Sequence, residues 1–402
     1  MTDLLTLAKA LISCPSVTPV TAGVFDVIEN FLVPLGFVAH RVTFEEAGTA
    51  PVENIYLRYG TQGPNFCFAG HTDVVPPGDE AAWRVPPFAP DVIDGELYGR
   101  GAEDMKGAIA AFMVAAREFM GGQWPVTRAQ KESKEASASH RPPATGHAFN
   151  GSISLLITQD EEGIAINGTK KMLGWLAERG EGIDACIVGE PTNPDRIGEM
   201  AKVGRRGSIT FTLEVVGKQG HVAYPERADN PVTRMVAMLA ALKDEPLDGG
   251  TEFFPPSNLE ITTVDVGNPT VNVIPERATA KFNVRFNDLH SGAEIDRWVR
   301  AQLDPHGAYQ LQSRISGEAF LTRDVRLADV VVGAVMDVTG MRPALSTTGG
   351  TSDARFIKDV CPVIEFGTTG RTPHMVNERV EVATLEALAK IYQRMLERFF
   401  LS

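Results

Sequence analysis

Apolar segments that alternate between strand length and helix length restrict the fold of this chain most. Short apolar runs at residues 65–69, 152–158 and 184–188 are bounded by glycine, proline or polar residues and predict buried strands. Helical periodicity occupies residues 107–120 and 167–179, between those runs. The alternation predicts an α/β fold in which helices flank a mostly parallel sheet.

The pattern changes near Gly207. From there to residue 317 the order of elements is β-α-β-β-α-β, which is typical of a ferredoxin-like α+β domain. Helical periodicity then resumes at residues 325–339. We therefore expect a catalytic domain in two parts, residues 1–206 and 318–402, around an inserted domain of residues 207–317.

Length and charge limit the classes of partner. The chain has 402 residues, enough for two cores, and a formal net charge of -13, which disfavours nucleic acid or an anionic membrane as partner. Four cysteines without paired spacing indicate reduced thiols in a cytoplasmic protein. The N-terminal segment lacks the pattern of a signal peptide, and no apolar run approaches the roughly 20 residues of a membrane span. Residues 121–150 are polar and predict a flexible surface loop, in which His140 and His147 are expected to be solvated.

Polar motifs follow the predicted strands. His71 and Asp73 end the first strand, with Asp73 placed to accept the second ring N–H of the histidine. Glu161 and Glu162 follow the second strand, and Glu190 follows the third. Chemistry gathers at the carboxyl ends of parallel strands, so these groups are candidates for one site. Each motif alone is a weak signal, because acidic turns are commonly solvated.

Two loops supply further candidates. Asp104 lies in the glycine-flanked segment GRGAEDMKG before a helix, where an N-cap is the ordinary alternative, and His374 lies in RTPHMVNE. Two histidines and three carboxylates suit zinc, cobalt or manganese. Five ligands exceed the three that a single catalytic zinc keeps, so they fit two ions if one carboxylate, best Asp104, bridges them. Adjacent glutamates point apart, which leaves one of the pair at 161–162 free as a base.

Several motifs resemble those of the M20 zinc peptidases and deacylases. They are GHTDVVPPG, GRGAEDMKG, TQDEEG and VGEPT. KVGRRGSITF, VVGKQGHVAYP, NVIPE, FNVRFN and STTGGTSDARF extend the resemblance over nearly the whole chain and narrow it to a branch that serves diaminopimelate and lysine biosynthesis. The insertion at 121–150 and the loop at 367–373 depart from the family pattern.

The resemblance implies a ligand set for two divalent ions, zinc in the first place or cobalt. His71 and Glu190 would bind one ion, Glu162 and His374 the other, and Asp104 would bridge them through a segment with a cis peptide bond to Met105.

The resemblance also implies catalytic roles. Asp73 would support His71, and Glu161 would be the general base. His221 and Asn272 would extend from the inserted domain of a homodimer into the active site of the partner subunit.

The implied substrate is a small acidic amide, whose carboxylates arginine recognises with a two-pronged fork. The predicted substrate contacts are Arg205, Arg206, Tyr224, Asn272, Arg285, Gly350, Thr351 and Ser352. For the 205–206 pair a solvated turn is an equal alternative, and for Tyr224 so is simple packing. Two other functions stay open: another M20 amidohydrolase, such as an acetylornithine deacetylase or a carboxypeptidase, and a metal-dependent scaffold without catalysis. The spare Glu161 argues against the scaffold, because ligation alone gains nothing from an extra negative charge.

Overall fold

A computed structural model describes most of the chain, namely residues 2–121, 149–244 and 246–401. The predicted surface loop, with His140 and His147, lies outside the described residues except at its two ends. The chain forms two compact units. The first comprises residues 1–203, 322–345 and 352–402, and the second comprises residues 204–321 and 346–351.

The helices and strands are numbered here in chain order. The helices are α1 (Thr2–Ile12), α2 (Val24–Leu32), α3 (Gly107–Phe119), α4 (Thr169–Glu178), α5 (Pro231–Asp244), α6 (Gly292–Leu303), α7 (Val325–Thr339), α8 (Ala354–Ile357) and α9 (Val382–Phe400). The strands are β1 (Val38–Phe44), β2 (Val52–Tyr59), β3 (Asn65–His71), β4 (Asp91–Ile93), β5 (Glu96–Tyr98), β6 (Ser152–Thr158), β7 (Ala185–Val188), β8 (Met200–Lys202), β9 (Gly204–Arg205), β10 (Gly207–Val216), β11 (Gly220–His221), β12 (Asn258–Asp265), β13 (Val273–Ile274), β14 (Arg277–Phe286), β15 (Gln310–Gly317), β16 (Phe320–Leu321), β17 (Ala344–Ser346), β18 (Val363–Glu365) and β19 (Arg379–Glu381).

An eight-stranded sheet organises the first unit, in the order β1-β2-β6-β3-β7-β18-β8-β17. Its four central strands β6, β3, β7 and β18 are parallel, and the neighbours β2 and β8 are antiparallel to them. Every residue of β3, β6 and β7 is buried, as continuous apolar runs predict for strands covered on both faces. Helices α3 and α9 pack together, α1 packs on α3 and α7 packs on α9. The predicted α/β class is confirmed, with parallel pairing in the centre of a mixed sheet.

The second unit holds a four-stranded antiparallel sheet in the order β12-β14-β10-β15. With α5 and α6 this gives the β-α-β-β-α-β arrangement expected of a ferredoxin-like fold. Its core is apolar and includes Phe211 stacked on Phe282 at 4.9 Å between ring centroids, with Met238 and Val299 from the two helices. The alternating burial of β10 and β14 shows why these strands were recognisable in the sequence.

The cysteines are reduced, and the helices are short or polar. Cys14, Cys67, Cys186 and Cys361 are all free thiols. Burial raises the pKa of the Cys361 thiol well above its ordinary value, which keeps it protonated and unreactive. Within the described parts of the chain, every helix is too short or too polar to cross a membrane.

Candidate metal centre

His71 is the last residue of β3, and Asp73 lies two residues after it. The His71 side chain is 1% exposed, and its Nδ1 lies 2.9 Å from the backbone carbonyl oxygen of Asp73. The Asp73 carboxylate is farther away, with Oδ1 at 3.7 Å, so the predicted carboxylate–imidazole hydrogen bond is replaced by one to the carbonyl. The carboxylate instead accepts the backbone N–H groups of Glu162 at 3.0 Å and of Glu161 at 3.4 Å. Asp73 therefore orients the histidine through its backbone and the two glutamates through its side chain.

Asp104 lies in the turn Ala102–Lys106 that precedes α3, at φ -122 and ψ 95, and the expected cis peptide bond to Met105 is present. Its Oδ1 is 3.1 Å from His71 Nε2, and its Oδ2 is 3.4 Å from His374 Nε2. Burial disfavours the ionised carboxylate, but hydrogen bonds from His374 and His71 outweigh it and hold the pKa of Asp104 below its usual range. One carboxylate thus faces two histidines with different oxygens, as a bridging ligand would.

Two groups of ligand atoms share Asp104. One comprises His71, Asp104 and Glu190, and the other Asp104, Glu162 and His374, with the ligand atoms of each group within 4.8 Å of one another. His71 Nε2 is 3.7 Å from Glu190 Oε1, and His374 Nε2 is 2.7 Å from Glu162 Oε1. We call the group with His71 the inner half and the group with His374 the outer half, because the His374 side chain is 51% exposed.

Glu161 lies beside these ligands but belongs to neither group. Burial raises its pKa to about 8, repulsion from Asp353 and Glu162 adds to this, and His71 acts in the opposite direction. A half-buried carboxyl outside the ligand set is the arrangement that a general base requires.

The charges of the cluster fit divalent cations. Burial, reinforced by repulsion from Asp104, raises the pKa of Glu190 well above its ordinary value. Hydrogen bonds to Asp104 and Glu162 raise the pKa of His374 to about 10. Closely spaced carboxylates contribute to both shifts, and their excess favours a positive charge among them. Nitrogen and oxygen donors carrying this negative charge suit zinc or cobalt.

Three buried charged residues beside the centre were missed from the sequence. Arg100, Glu103 and Glu378 are at most 2% exposed. Glu378 accepts hydrogen bonds from the backbone that leads to Asp104, and Glu103 accepts them from the loop that leads to His374. The available signal was an acid next to each predicted ligand motif, in GRGAEDMKG and in PHMVNE, but an acid in a polar loop usually indicates a solvated turn.

The second unit carries most of the predicted substrate contacts. These are Arg205, Arg206, Tyr224, Asn272, Arg285, Gly350 and Thr351. His221 also lies there, in β11, which pairs with β13 so that the backbone N–H of Val222 donates to the Asn272 carbonyl at 3.1 Å. The His221 ring is 5.8 Å from that of Tyr224, and its Nδ1 accepts the N–H of Ala223. His221 and Asn272 are thus brought together on one small two-stranded sheet.

Arg206 and Arg285 are neighbours in the second unit. Burial lowers the pKa of both guanidinium groups, and for Arg285 the charge of Arg206 lowers it further. Arg206 Nη1 donates to Asn258 Oδ1 at 2.8 Å, while its buried Nε has no hydrogen-bond partner among the described residues. Two partly desolvated like charges form a place where an anion would be stabilised.

Family models match two parts of the chain. "Peptidase family M20/M25/M40" matches residues 67–126, which carry His71, Asp73 and Asp104, and "Peptidase dimerisation domain" matches residues 203–309.

Curated relatives match over the full length. A succinyl-diaminopimelate desuccinylase of Rhodospirillum centenum is 54% identical over 99% of this chain and 97% of its own. One from Bradyrhizobium sp. (strain ORS 278) is 50% identical over 100% of both chains. The chain belongs to the succinyl-diaminopimelate desuccinylase family.

The fold of this desuccinylase family member is shared by solved structures of more distant proteins. An M20 family metallo-carboxypeptidase from Sulfolobus solfataricus superposes with a TM-score of 0.74 and 15% identity over 99% of both chains. A dinuclear metal-binding M20 peptidase from Bacillus subtilis superposes with a TM-score of 0.64 and 14% identity, over 98% of this chain and 96% of its own. At these identities the likeness concerns the fold alone.

One predicted substrate contact lies in the first unit, unlike the others. Ser352 lies in the first unit, is buried, and its hydroxyl donates to Glu365 Oε1 at 2.5 Å. The hydroxyl oxygen of Ser352 also accepts the N–H of Ala354 at 3.3 Å. A hydroxyl committed in this way supports the turn before α8, and the contact of Ser352 with substrate stays a prediction. The sequence could not separate the two roles, because burial of a serine in GGTSD depends on contacts distant in the chain.

Proposed function

We propose that this chain hydrolyses N-succinyl-LL-2,6-diaminopimelate to succinate and LL-2,6-diaminopimelate, as a step of diaminopimelate and lysine biosynthesis in the cytoplasm. One observation carries the proposal: two ligand groups share Asp104 beside a half-buried carboxyl, Glu161, that belongs to neither. The full-length identity to relatives of that name supports the choice of substrate. The free cysteines agree with a reducing compartment.

Two divalent ions per chain complete the proposed site, with zinc as the first choice and cobalt as the second. His71 and Glu190 would hold one ion, and Glu162 and His374 would hold the other. Asp104 would contact both ions. Bound ions of this kind polarise a carbonyl and make water easier to deprotonate.

Glu161 supplies the proton transfers. Its carboxylate takes a proton from the attacking water as the water oxygen bonds to the amide carbon, and it returns that proton to the amine nitrogen as the C–N bond breaks. Asp73 supports this role because its carboxylate holds the Glu161 N–H at 3.4 Å and the Glu162 N–H at 3.0 Å, which fixes the backbone under both side chains. Of the two adjacent glutamates, Glu161 can then act as the base while Glu162 acts as a metal ligand.

The second unit would recognise the carboxylates of the substrate. Arg206 and Arg285 are partly desolvated and repel each other, so a carboxylate bound to both would relieve that repulsion. Arg205 donates to the Thr348 carbonyl in the loop that continues to Gly350 and Thr351, whose backbone groups are further candidates.

A homodimer is the proposed assembly, supported by the match of residues 203–309 to a dimerisation domain. In it His221 would donate to the developing oxyanion in the partner's site, and Asn272 and Tyr224 would contact substrate there. The exposure of all three side chains in the isolated chain agrees with a role that needs a second chain.

Substrate selection tests the proposal. The protein is loaded with zinc and offered N-succinyl-LL-2,6-diaminopimelate and N-acetylornithine, and kcat/KM is measured for each. We expect kcat/KM to be at least about 100-fold higher for the succinyl substrate. The acetyl group lacks the terminal carboxylate of the succinyl group, so it would leave arginines of the site unpaired. A preference for N-acetylornithine would assign the chain to another M20 amidohydrolase. A Glu161→Gln preparation, purified and loaded in the same way, controls for contaminating activity.

A further inference from the structure

Two segments far apart in the chain carry the bridging Asp104 and the exposed His374, and each segment contributes a buried carboxylate to the other. Glu103 precedes Asp104 directly, and Glu378 lies a few residues after His374, in the same loop. Glu103 is 0% exposed and Glu378 is 1% exposed. Neither belongs to a ligand group.

Glu378 holds the backbone that leads to Asp104. Its Oε1 accepts the N–H of Glu103 at 3.0 Å and that of Asp104 at 3.1 Å, across 274 residues of chain in the second case. Its Oε2 accepts the N–H of Gly101 at 2.9 Å and Arg100 Nη1 at 2.8 Å. Four donors therefore fix the Asp104 segment on one side chain.

Glu103 holds the loop that leads to His374. Its Oε1 accepts the Thr369 hydroxyl at 2.6 Å and the Arg371 N–H at 3.1 Å. Its Oε2 accepts the N–H and the hydroxyl of Thr372 at 2.6 and 2.7 Å. The loop that Glu103 holds ends one residue before the proline that precedes His374.

Arg100 joins the two ends of this arrangement. Besides Glu378, its guanidinium donates to the carbonyl oxygens of His374 and Met375, each at 3.3 Å, and it packs over the Trp83 ring at 5.2 Å. One cation thus touches both the backbone of an outer-half ligand and the carboxylate that holds Asp104.

A carboxylate is chemically required at both positions. Each oxygen of Glu103 and of Glu378 accepts at least one backbone N–H, which cannot reverse its role. An amide would turn a donor NH₂ group toward such an N–H, whichever way it rotates. Glutamine in these places therefore leaves buried donors facing each other, which displaces the backbone.

We propose that Glu103 and Glu378 are paired positioning residues that set the separation of Asp104 and His374 and thereby the affinity of the centre for its two ions. Glu103 acts on the outer half alone, because it holds only the loop before His374. Glu378 acts on both halves, because Asp104 belongs to both. The proposal rests on the two-ion centre proposed above.

Zinc titration by calorimetry, with cobalt absorption spectra as a second readout, tests this asymmetry. In Glu103→Gln we expect one of the two ions to bind about 10- to 100-fold more weakly, the range typical of a lost partner behind the ligands. The second ion should keep its wild-type affinity and its cobalt spectrum. In Glu378→Gln both affinities should fall.

Asp248→Asn is the matched control. Asp248 is a buried carboxylate of the second unit that accepts the backbone N–H groups of Gly250 and Ser257, at 2.8 and 3.1 Å. Its replacement should lower the melting temperature and leave both ion affinities unchanged. Ion loss in this control equal to that of the glutamine variants would overturn the proposal, because general destabilisation would then explain the effect.

Thr369→Val carries the test if a glutamine variant does not fold, since it removes one donor to Glu103 and preserves the shape of the side chain. It should lower the affinity for the same ion that Glu103→Gln affects, by a smaller factor. Unchanged affinity for both ions in every folded variant would contradict the positioning role. A wild-type protein that binds fewer than two ions would instead contradict the proposed metal centre, so the two failures are distinguishable.

Discussion

The inner and outer halves of the candidate centre are built from the same ligand types in opposite surroundings. His71 ends a strand that lies between two parallel neighbours and is 1% exposed, whereas His374 lies in a loop and is 51% exposed. The inner half is therefore enclosed by the sheet, and the outer half is open to water. An enclosed site should hold its ion tightly, and an open one should exchange it. The comparison therefore predicts that the two halves bind their ions with unequal affinity, although their ligands are of the same types.

The loop of the outer half also has a less favourable backbone. His374 and Asn377 both have φ of 63, a left-handed conformation that costs a histidine about 1 kcal/mol or more and that asparagine tolerates better. The Asn377 side chain compensates by accepting the Arg84 N–H at 2.5 Å. The outer ligand thus depends on a network of side chains, where the inner ligand depends on a strand.

The largest expected effect is on the base that would serve both halves. Glu161→Gln should lower kcat by about 10²- to 10⁴-fold, the usual contribution of a positioned proton acceptor, while metal content stays at two ions per chain. Steady-state kinetics and metal analysis of the same preparation provide the measurement. Loss of an ion, or nearly full activity, would show that Glu161 is a ligand or a bystander.

The difference between the halves is tested directly by removing one histidine from each. His71→Ala and His374→Ala should each lower the affinity for one ion. The loss should exceed the roughly 100-fold expected when a residue that only supports a ligand is replaced. The ion that remains in His374→Ala should be the tighter one, because it occupies the enclosed half. Calorimetric titration of both variants measures this, and identical loss of both ions from both variants would remove the distinction between the halves.

His221 lies outside both halves, so its replacement should leave them unchanged. His221→Ala should lower kcat by about 10²-fold, the scale of one lost oxyanion donor, with two ions and the dimer retained. A mixed dimer of one His221→Ala chain and one Glu161→Ala chain should recover about half of the sites, because one site would then hold both defects and the other neither. A mixed dimer that is verified by mass and is inactive would rule out a shared site.

The smallest expected effect is on substrate affinity. Arg285→Gln should raise KM about tenfold, or 1.4 kcal/mol, with kcat nearly unchanged, since it removes one charged contact and no ligand. Arg277→Gln is the control, because Arg277 lies in the same strand β14 and pairs with Glu214 on an exposed surface. Equal increases in KM for both variants would show that the strand, and not the Arg206–Arg285 pair, is responsible.

The sequence predicted the inner half from a local pattern. His71 and Glu190 end buried apolar runs, and strands of that kind must end at one edge of a parallel sheet. His374 has no such pattern, because it lies in a loop; it was a candidate from its residue type and neighbours, and the family resemblance alone assigned it to one ion. The fold class followed from the same apolar periodicity, but β1 was missed because its residues are mostly exposed or half-exposed.

Contacts between segments distant in the chain could not be predicted. Glu103 and Glu378 look like surface acids, and only the folded chain brings backbone N–H groups to them. The role of Asp73 was predicted for its carboxylate, yet its carbonyl oxygen lies closer to the imidazole. Such choices depend on differences of less than 1 Å, which residue spacing does not encode.

The position of the second unit in the chain has a consequence for synthesis on the ribosome. His71, Asp104 and Glu190 all precede residues 204–321, whereas His374 follows them. Domains of a nascent chain fold in the order in which they emerge. Strand β18 and helix α9, which complete the first unit, also follow the second unit, as does Glu378, which holds the Asp104 segment. The inner half therefore cannot be complete before the C-terminal part of the chain has been translated. The second unit can therefore fold on the ribosome before either half of the centre is complete, and both halves become available at the same stage of synthesis.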